Sequence, residues 1–516
     1  MSHWLNLQSV GLNVSTWVLV AVAAALVHWI RWRSSRFVRL IEAVPGPRGL
    51  PLVGNAVQLA VDKTQFLRIV HGQWVDQFGP IYRGWGGDRP IVCVSSPELI
   101  EPILSSSKMM GKSVEYTYLS PWLGNCMFLT TGARWKSRRR LLTPAFHFQI
   151  LESFFDVFNE QSHRLADQLS AAVDASGGAE LDVYPFLTRA ALDIICETSM
   201  GKRQQGAKDD ISDYLKSVNR ITQIVMERGV RPWLKSDWTF RWSSLGRQNR
   251  ECVDVLHSFT NQVIRQRRQM LQQDDGKDQP DAARKRLAFL DLLIRASNNG
   301  ADLSDEDIRE EVDTATFAGY DTTATGMGWF LYCMAAHPHE QQLVYDEVNE
   351  AFGDSDRHCT PQDLPQLKYL ECCIKETLRL YPSIPAVLRN LSEDVDIGGY
   401  TLPAGLSVAV LIYGMHHSPK VYSDPDEFKP ERFLPENSVG RHPYAFIPFS
   451  AGLRNCIGQK YGMLELKVVL STLIRRFHFS IDEATRARTV ASSEIVLKPV
   501  NGIRLIITPR SPRVSA

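Results

Sequence analysis

Residues 448–462 read PFSAGLRNCIGQKYG, and within them Phe449, Gly452, Arg454, Cys456 and Gly458 fall in the order F-x-x-G-x-R-x-C-x-G. A cysteine thiolate that binds iron needs backbone N–H groups aimed at its sulfur, close approach of the backbone to a flat macrocycle, and a cation for the macrocycle's carboxylates. The glycines, the loop and Arg454 can provide these. Apolar residues at helical spacing continue to residue 476, so the sequence predicts a helix that begins at Cys456 and whose positive end favours the thiolate. A lone cysteine before a helix is usually structural; five matched positions set this one apart. The chain has nine cysteines, an odd number with no CxxC pair. Most of them sit in apolar runs such as DIIC around Cys196 and LYCMA around Cys333, so neither a disulfide framework nor a zinc site is expected.

On these residues the sequence resembles the cytochrome P-450 superfamily, and its other motifs follow in order. Glu376 and Arg379 in KETLRL lie three residues apart on one helix face, and with Arg432 in FKPERF they match the buried Glu-Arg-Arg cluster that supports the family's haem-binding core. Trp135 and Arg139 match a W-x-x-x-R clamp on a haem propionate, and Arg389 in SIPAVLRN occupies the place of another propionate contact. FAGYDTTATG, with Ala318, Gly319, Asp321, Thr322 and Thr323, matches the oxygen-activation signature. There Thr322 and Asp321 are the implied proton relay, although paired threonines in a helix more often bond back to the preceding turn. LLTPAFHF, DIREEVDT, YLECCIKETLRLYPSIP and GRHPYAFIPFSAGLRNCIGQKYG resemble family 4, the lipid ω-hydroxylases. Many members of that family carry a glutamate before the helix glycine that esterifies a haem methyl. Ala318 stands there instead, so haem b is expected to be held without a covalent bond.

From Val10 to Ile30 about 20 residues lack Asp, Glu, Lys and Arg, enough for a helix of roughly 30 Å. Arg31, Arg33, Arg36 and Arg39 follow rather than precede it, which favours an uncleaved anchor with the body of the protein in the cytosol over a cleaved signal. The expected divisions are an anchor and basic flank at 1–36, a Pro/Gly-rich hinge at 37–54 and a catalytic domain at 55–516. Lys+Arg 58 against Asp+Glu 57 leaves a charge of +1, which argues against a nucleic-acid partner. Helical patterns at 145–176, 210–230, 246–273, 303–336, 363–381 and 456–476 outweigh short strands within 81–96 and around Gly398-Gly399, so the expected class is mainly α with a minor β sheet. Gln272 to Arg286 reads as a mobile surface connection.

The resemblance implies a haem-thiolate monooxygenase of the endoplasmic reticulum membrane that hydroxylates fatty acids at or near the ω end. Its electrons would come from an NADPH-cytochrome P-450 reductase, with cytochrome b5 as a further donor, docking on a basic face that includes Lys136, Arg138 and Arg140. Tyr118, Leu119, Trp122 and Ala318 are expected to line the substrate site, although aromatic residues at such spacing are more often core. Trp233, Trp238 and Trp242 among Arg231, Lys235 and Arg241 suit a membrane-interface entrance. The alternatives are an isomerase or dehydratase of lipid peroxides and a non-catalytic haem-binding membrane protein.

Overall fold

The computed structural model describes residues 5–201, 208–274, 288–353 and 355–510. Its axis is the 32-residue helix Asp305–Ala336. The Ser304 side chain accepts from the Asp307 N–H while Asp307 reaches back to the Ser304 N–H, and Asp305, Glu306 and Asp307 place negative charge in the first turn. Beyond that turn the helix is buried on nearly every side, including its charged residues Arg309, Glu310, Glu311, Asp313 and Asp321, and it is most apolar toward its C-terminal end. Gly319 is small because the helix Tyr184–Met200 packs there: a Cβ would stand 2.6 Å from Ile195 Cδ1. The helices Phe155–Ser176, Lys368–Leu380 and Gln459–Arg476 complete one continuous helical core.

A second, smaller core lies under a four-stranded sheet. Strand Ile81–Gly86 pairs antiparallel with Arg89–Val94, which pairs parallel with Ser407–Leu411, which in turn pairs antiparallel with Ala386–Asn390. This register sets Arg389 opposite Val408 and Val408 opposite Val92. The chain is thus mainly helical with minor sheets, and Val395–Ile397 and Tyr400–Leu402 flank the Gly398-Gly399 turn as expected. The pattern at 145–176 divides into Phe148–Glu152 and Phe155–Ser176. The Gln272 to Arg286 connection lies largely outside the described residues.

Two expectations change here. The N-terminal segment is helical over Leu5–Arg33, with Trp17, Leu19 and Leu26 exposed, but no helix among the described residues is long and apolar enough to cross a membrane. Asn13, Ser15, Thr16, His28 and the terminal arginines dilute its hydropathy. The Pro/Gly segment packs on the sheet: the Arg83 N–H donates to Pro45 O at 2.8 Å, and Asn55 exchanges bonds with Trp85 through its N–H at 2.7 Å and its Oδ1 at 2.8 Å.

Candidate functional site

The Cys456 loop precedes its helix by more than the sequence suggests, since the helix begins at Gln459. The loop is held by the Cys456 N–H donating to Phe449 O at 2.9 Å. Gly452 sits at φ +70°, where a Cβ would meet Leu104 O at 1.9 Å, so this glycine permits a backbone approach that no other residue could make. It shapes the loop from outside the cavity. Ser450, at φ +57°, carries backbone strain beside the sulfur. Cys456 lies deep inside the protein, and the surface it exposes faces a large internal cavity. Burial pushes its thiol up, while a hydrogen bond from the Gly458 N–H and the charge of Arg139 pull it down.

Four cations line the same end of that cavity. Arg139 donates from Nη1 to Asn455 O and from Nη2 to Asn455 Oδ1, both at 2.9 Å. Arg454 donates to Met127 O at 3.2 Å and lies 4.7 Å from the centre of the Trp135 ring, while its buried Nε has no partner. Arg389 is buried, and Lys112 sits 4.2 Å above Tyr116 and 4.3 Å above Phe128. None of the four has a carboxylate within ion-pair distance among the described residues. Burial, then Arg389 and Arg454, hold the Lys112 ammonium well below its ordinary range, and burial with Arg389 brings Arg454 down to about 10. Mutually repelling cations held out of water call for an anionic group among them, and haem propionates supply that charge beside an iron-binding thiolate. The residues fit the group: Cys456 would ligate the iron, and Lys112, Arg139, Arg389 and Arg454 would face its carboxylates.

Below this site Glu376 is fully enclosed. Arg379 donates to its Oε1 and Oε2 at 2.8 Å each, Arg432 Nε donates at 3.3 Å and the Lys429 N–H at 2.9 Å. On the opposite wall Ala318 and Thr322 face the cavity. Thr322 Oγ1 donates to Ala318 O at 2.8 Å, and Thr323 Oγ1 donates to Gly319 O at 2.8 Å and stands 3.0 Å from Glu465 Oε1. Both hydroxyls therefore bond back along the helix. Asp321 does not line the cavity. It is buried behind the helix, with Oδ1 3.1 Å from Lys498 Nζ and Oδ2 without a partner. Burial pushes its carboxyl up against the pull of Lys498, and Lys498 also donates to Asn219 at 2.8 Å.

Tyr118 and Leu119 line the cavity, but Trp122 does not: it is buried against Phe317 at 4.9 Å and belongs to the core. Arg138 is also corrected. It is buried and pairs with Asp307 at 2.6 Å, so it is absent from the basic face on which Lys136 and Arg140 remain exposed. The sequence reading missed Lys112, Lys498 and Glu465. A lysine between Gly111 and Ser113 carries no spacing signal, and the other two become visible only through contacts between distant segments.

A thiolate floor, a cluster of unpaired cations and an apolar chamber closed by a long helix define a haem-thiolate protein. The chain belongs to the cytochrome P450 family, whose model matches residues 44–506. It is 43% identical to cytochrome P450 4c3 of Drosophila melanogaster over 96% of this chain and 95% of that protein. It is 39% identical to human cytochrome P450 4V2 over 93% and 91%, and 38% identical to Drosophila cytochrome P450 4d2 over 96% and 99%. These relatives place it among the family 4 proteins.

Proposed function

We propose that the chain is a monooxygenase that hydroxylates fatty acids or related lipids at or near the ω end, with O2 and electrons from an NADPH-linked reductase. The observation that carries this reading is the chamber itself. Beyond the cations around Cys456 its wall is mostly apolar, with Leu142, Phe154, Phe289, Phe317 and Val387 among the lining, which suits a hydrocarbon chain. Haem, when bound, would supply the oxidising chemistry, and Cys456 is the residue that would hold its iron. The chain's own residues exclude water and manage protons. Thr322 presents its hydroxyl to the cavity. Asp321, one residue along but behind the helix, holds a carboxylate whose free oxygen can take a proton and pass it on when the side chain turns.

Several features support the expected partners. A shallow concavity on the far side of the Cys456 loop is lined by Lys460 and by Lys375 and Lys467, which share Glu371, and exposed Lys136 and Arg140 add to the basic surface available to a reductase or cytochrome b5. Trp233, Trp238 and Trp242 are 64%, 73% and 75% exposed. With the exposed apolar residues of Leu5–Arg33 they form a surface suited to the endoplasmic reticulum membrane. Because Ala318 faces the cavity with only a methyl group, the haem is non-covalent and acid-organic solvent should remove it from the polypeptide.

The test is the carbon monoxide difference spectrum of the reduced protein and of Cys456→Ser, followed by turnover of a fatty-acid series with reductase. A thiolate-type Soret band lost in the variant, together with hydroxylated fatty acids, is the expected result. Absence of the band in folded, haem-loaded protein defeats the haem-thiolate reading, and turnover of lipid peroxides without reductase would identify an isomerase.

A further inference from the structure

The cavity contains a second pair of cations, set apart from those around Cys456. Arg89 opens the strand Arg89–Val94, and Lys235 lies just after the short turn Pro232–Leu234; both side chains line the cavity. Lys235 Nζ donates to Gly86 O at 2.7 Å, and Arg89 Nη1 donates to Tyr118 Oη at 3.3 Å. Neither cation has an ion-pair partner among the described residues. Glu115 and Asp88 act on Lys235 only at longer range, and Glu115 already accepts from the Ser113 hydroxyl. Burial, with Arg89 adding to it, pushes the Lys235 ammonium down despite those carboxylates.

The sheet register separates this pair from the first group. Arg89 lies three residues before Val92, and Val92 is two strands away from Arg389 through Val408. At about 3.3 Å per residue along a strand and about 4.8 Å between strands, the Arg89 and Arg389 backbones are roughly 14 Å apart. Arg89 is also an odd number of residues from Val92, so it projects from the face of the sheet opposite to Arg389, and a group held by Arg389 is not shared with Arg89. Arg89 starts the second strand at the hairpin tip, Lys235 reaches that tip through Gly86 O, and Trp233, two residues before Lys235, is exposed.

We propose that Arg89 and Lys235 bind the carboxylate of an acyl substrate at the cavity mouth, so that the hydrocarbon runs inward and presents its methyl end toward the Cys456 side. The assignment rests on the lipid reading above and explains how that reading would favour the ω end. A carboxylate between two partly buried cations gains charge-assisted hydrogen bonds and supplies the counter-charge that both lack. The acyl chain takes the apolar interior.

The test uses the full-length, haem-loaded protein, with substrate-induced Soret shifts titrated against dodecanoic acid and its methyl ester. The double variant Arg89→Gln/Lys235→Gln keeps an amide that can still bond Gly86 O, and Lys235→Arg keeps the charge. The expected result is about tenfold or more weaker binding of the acid by the double variant, unchanged binding of the ester, and near-native binding of the acid by Lys235→Arg. Equal weakening of acid and ester, or no change in either, overturns the proposal. So does an unchanged acid-to-ester ratio with lost affinity for phosphatidylserine vesicles, which would assign the cations to lipid headgroups. If the native protein binds neither compound, the lipid reading itself fails. If it hydroxylates the acid but the double variant binds it as tightly, only the carboxylate assignment falls.

Discussion

Glu376 and Asp321 are both out of water, yet the regions around them treat a buried carboxylate in opposite ways. Both oxygens of Glu376 accept hydrogen bonds, and its main partner Arg379 spends its remaining donors on His416 O at 2.8 Å, Pro425 O at 2.7 Å and Glu427 O at 3.0 Å. Asp321 has one lysine and one oxygen with nothing to accept from. A fully partnered buried charge fixes geometry because every escape from it leaves a donor stranded. A half-partnered one stays ready to take up a proton or turn toward a new donor. The first region holds the floor beneath the Cys456 loop, and the second backs the helix that carries Thr322.

The sharpest way to break this comparison is Arg379→Ala. It leaves Glu376 with only Arg432 and the Lys429 N–H, both on one oxygen, and strands three backbone carbonyls, so the folded state should lose roughly 3–5 kcal/mol. Urea unfolding should show it as a large drop in midpoint, along with a loss of the thiolate-type carbon monoxide band. A variant that folds and holds haem like the native chain would mean that the cluster is dispensable. Asp321→Asn should do the reverse. Its amide fits the same space and its oxygen can still accept from Lys498, which keeps its bond to Asn219, so the unfolding free energy read from urea denaturation should fall by only about 1–2 kcal/mol. Reductase-supported turnover should fall on the order of 10²-fold, as when a positioned proton donor is lost. A large stability change without a turnover defect would make Asp321 a structural residue like Glu376.

The two regions were also unequally legible in the sequence. Cys456 and its glycines, and Glu376 with Arg379, are recognisable because their partners are a few residues away and the spacing itself encodes the geometry. Arg432 joined them only through a second motif. The Asp321-Thr322 pair was legible as residue types but not as an arrangement. Neighbouring positions on a helix point about 100° apart, and only the packed structure shows that one faces the cavity and the other faces Lys498. Trp122 and Arg138 were misplaced for a related reason. A tryptophan among apolar residues and an arginine in a basic run do not reveal that Phe317 and Asp307, on the long central helix, will cover them. Lys112 and Arg89 gave no local signal, and Lys235 was legible only as part of a tryptophan-rich basic run, since what distinguishes all three is the lack of a counter-charge in three dimensions.

Glu465 offers the finest test, because it stands between the two regions, on the helix that follows Cys456 yet bonded to Thr323 of the central helix. That hydroxyl is its one hydrogen-bonding partner among the described residues, and burial pushes its carboxyl up to about 8 from an ordinary 4.5. The native state therefore keeps this proton up to about pH 8, whereas the unfolded chain releases it near pH 4.5. Between these values the unfolded state binds fewer protons, so this group makes stability fall as pH rises, with no further change above about pH 8. Glu465→Gln abolishes the contribution. At pH 8 its unfolding free energy, read from urea denaturation, should exceed that of the native protein by several kcal/mol, at about 1.4 kcal/mol for each pH unit between 4.5 and 8, and the difference should shrink toward pH 5. If both proteins show the same pH slope, Glu465 is already ionised in the fold, and a counter-charge that Thr323 does not supply must hold it there.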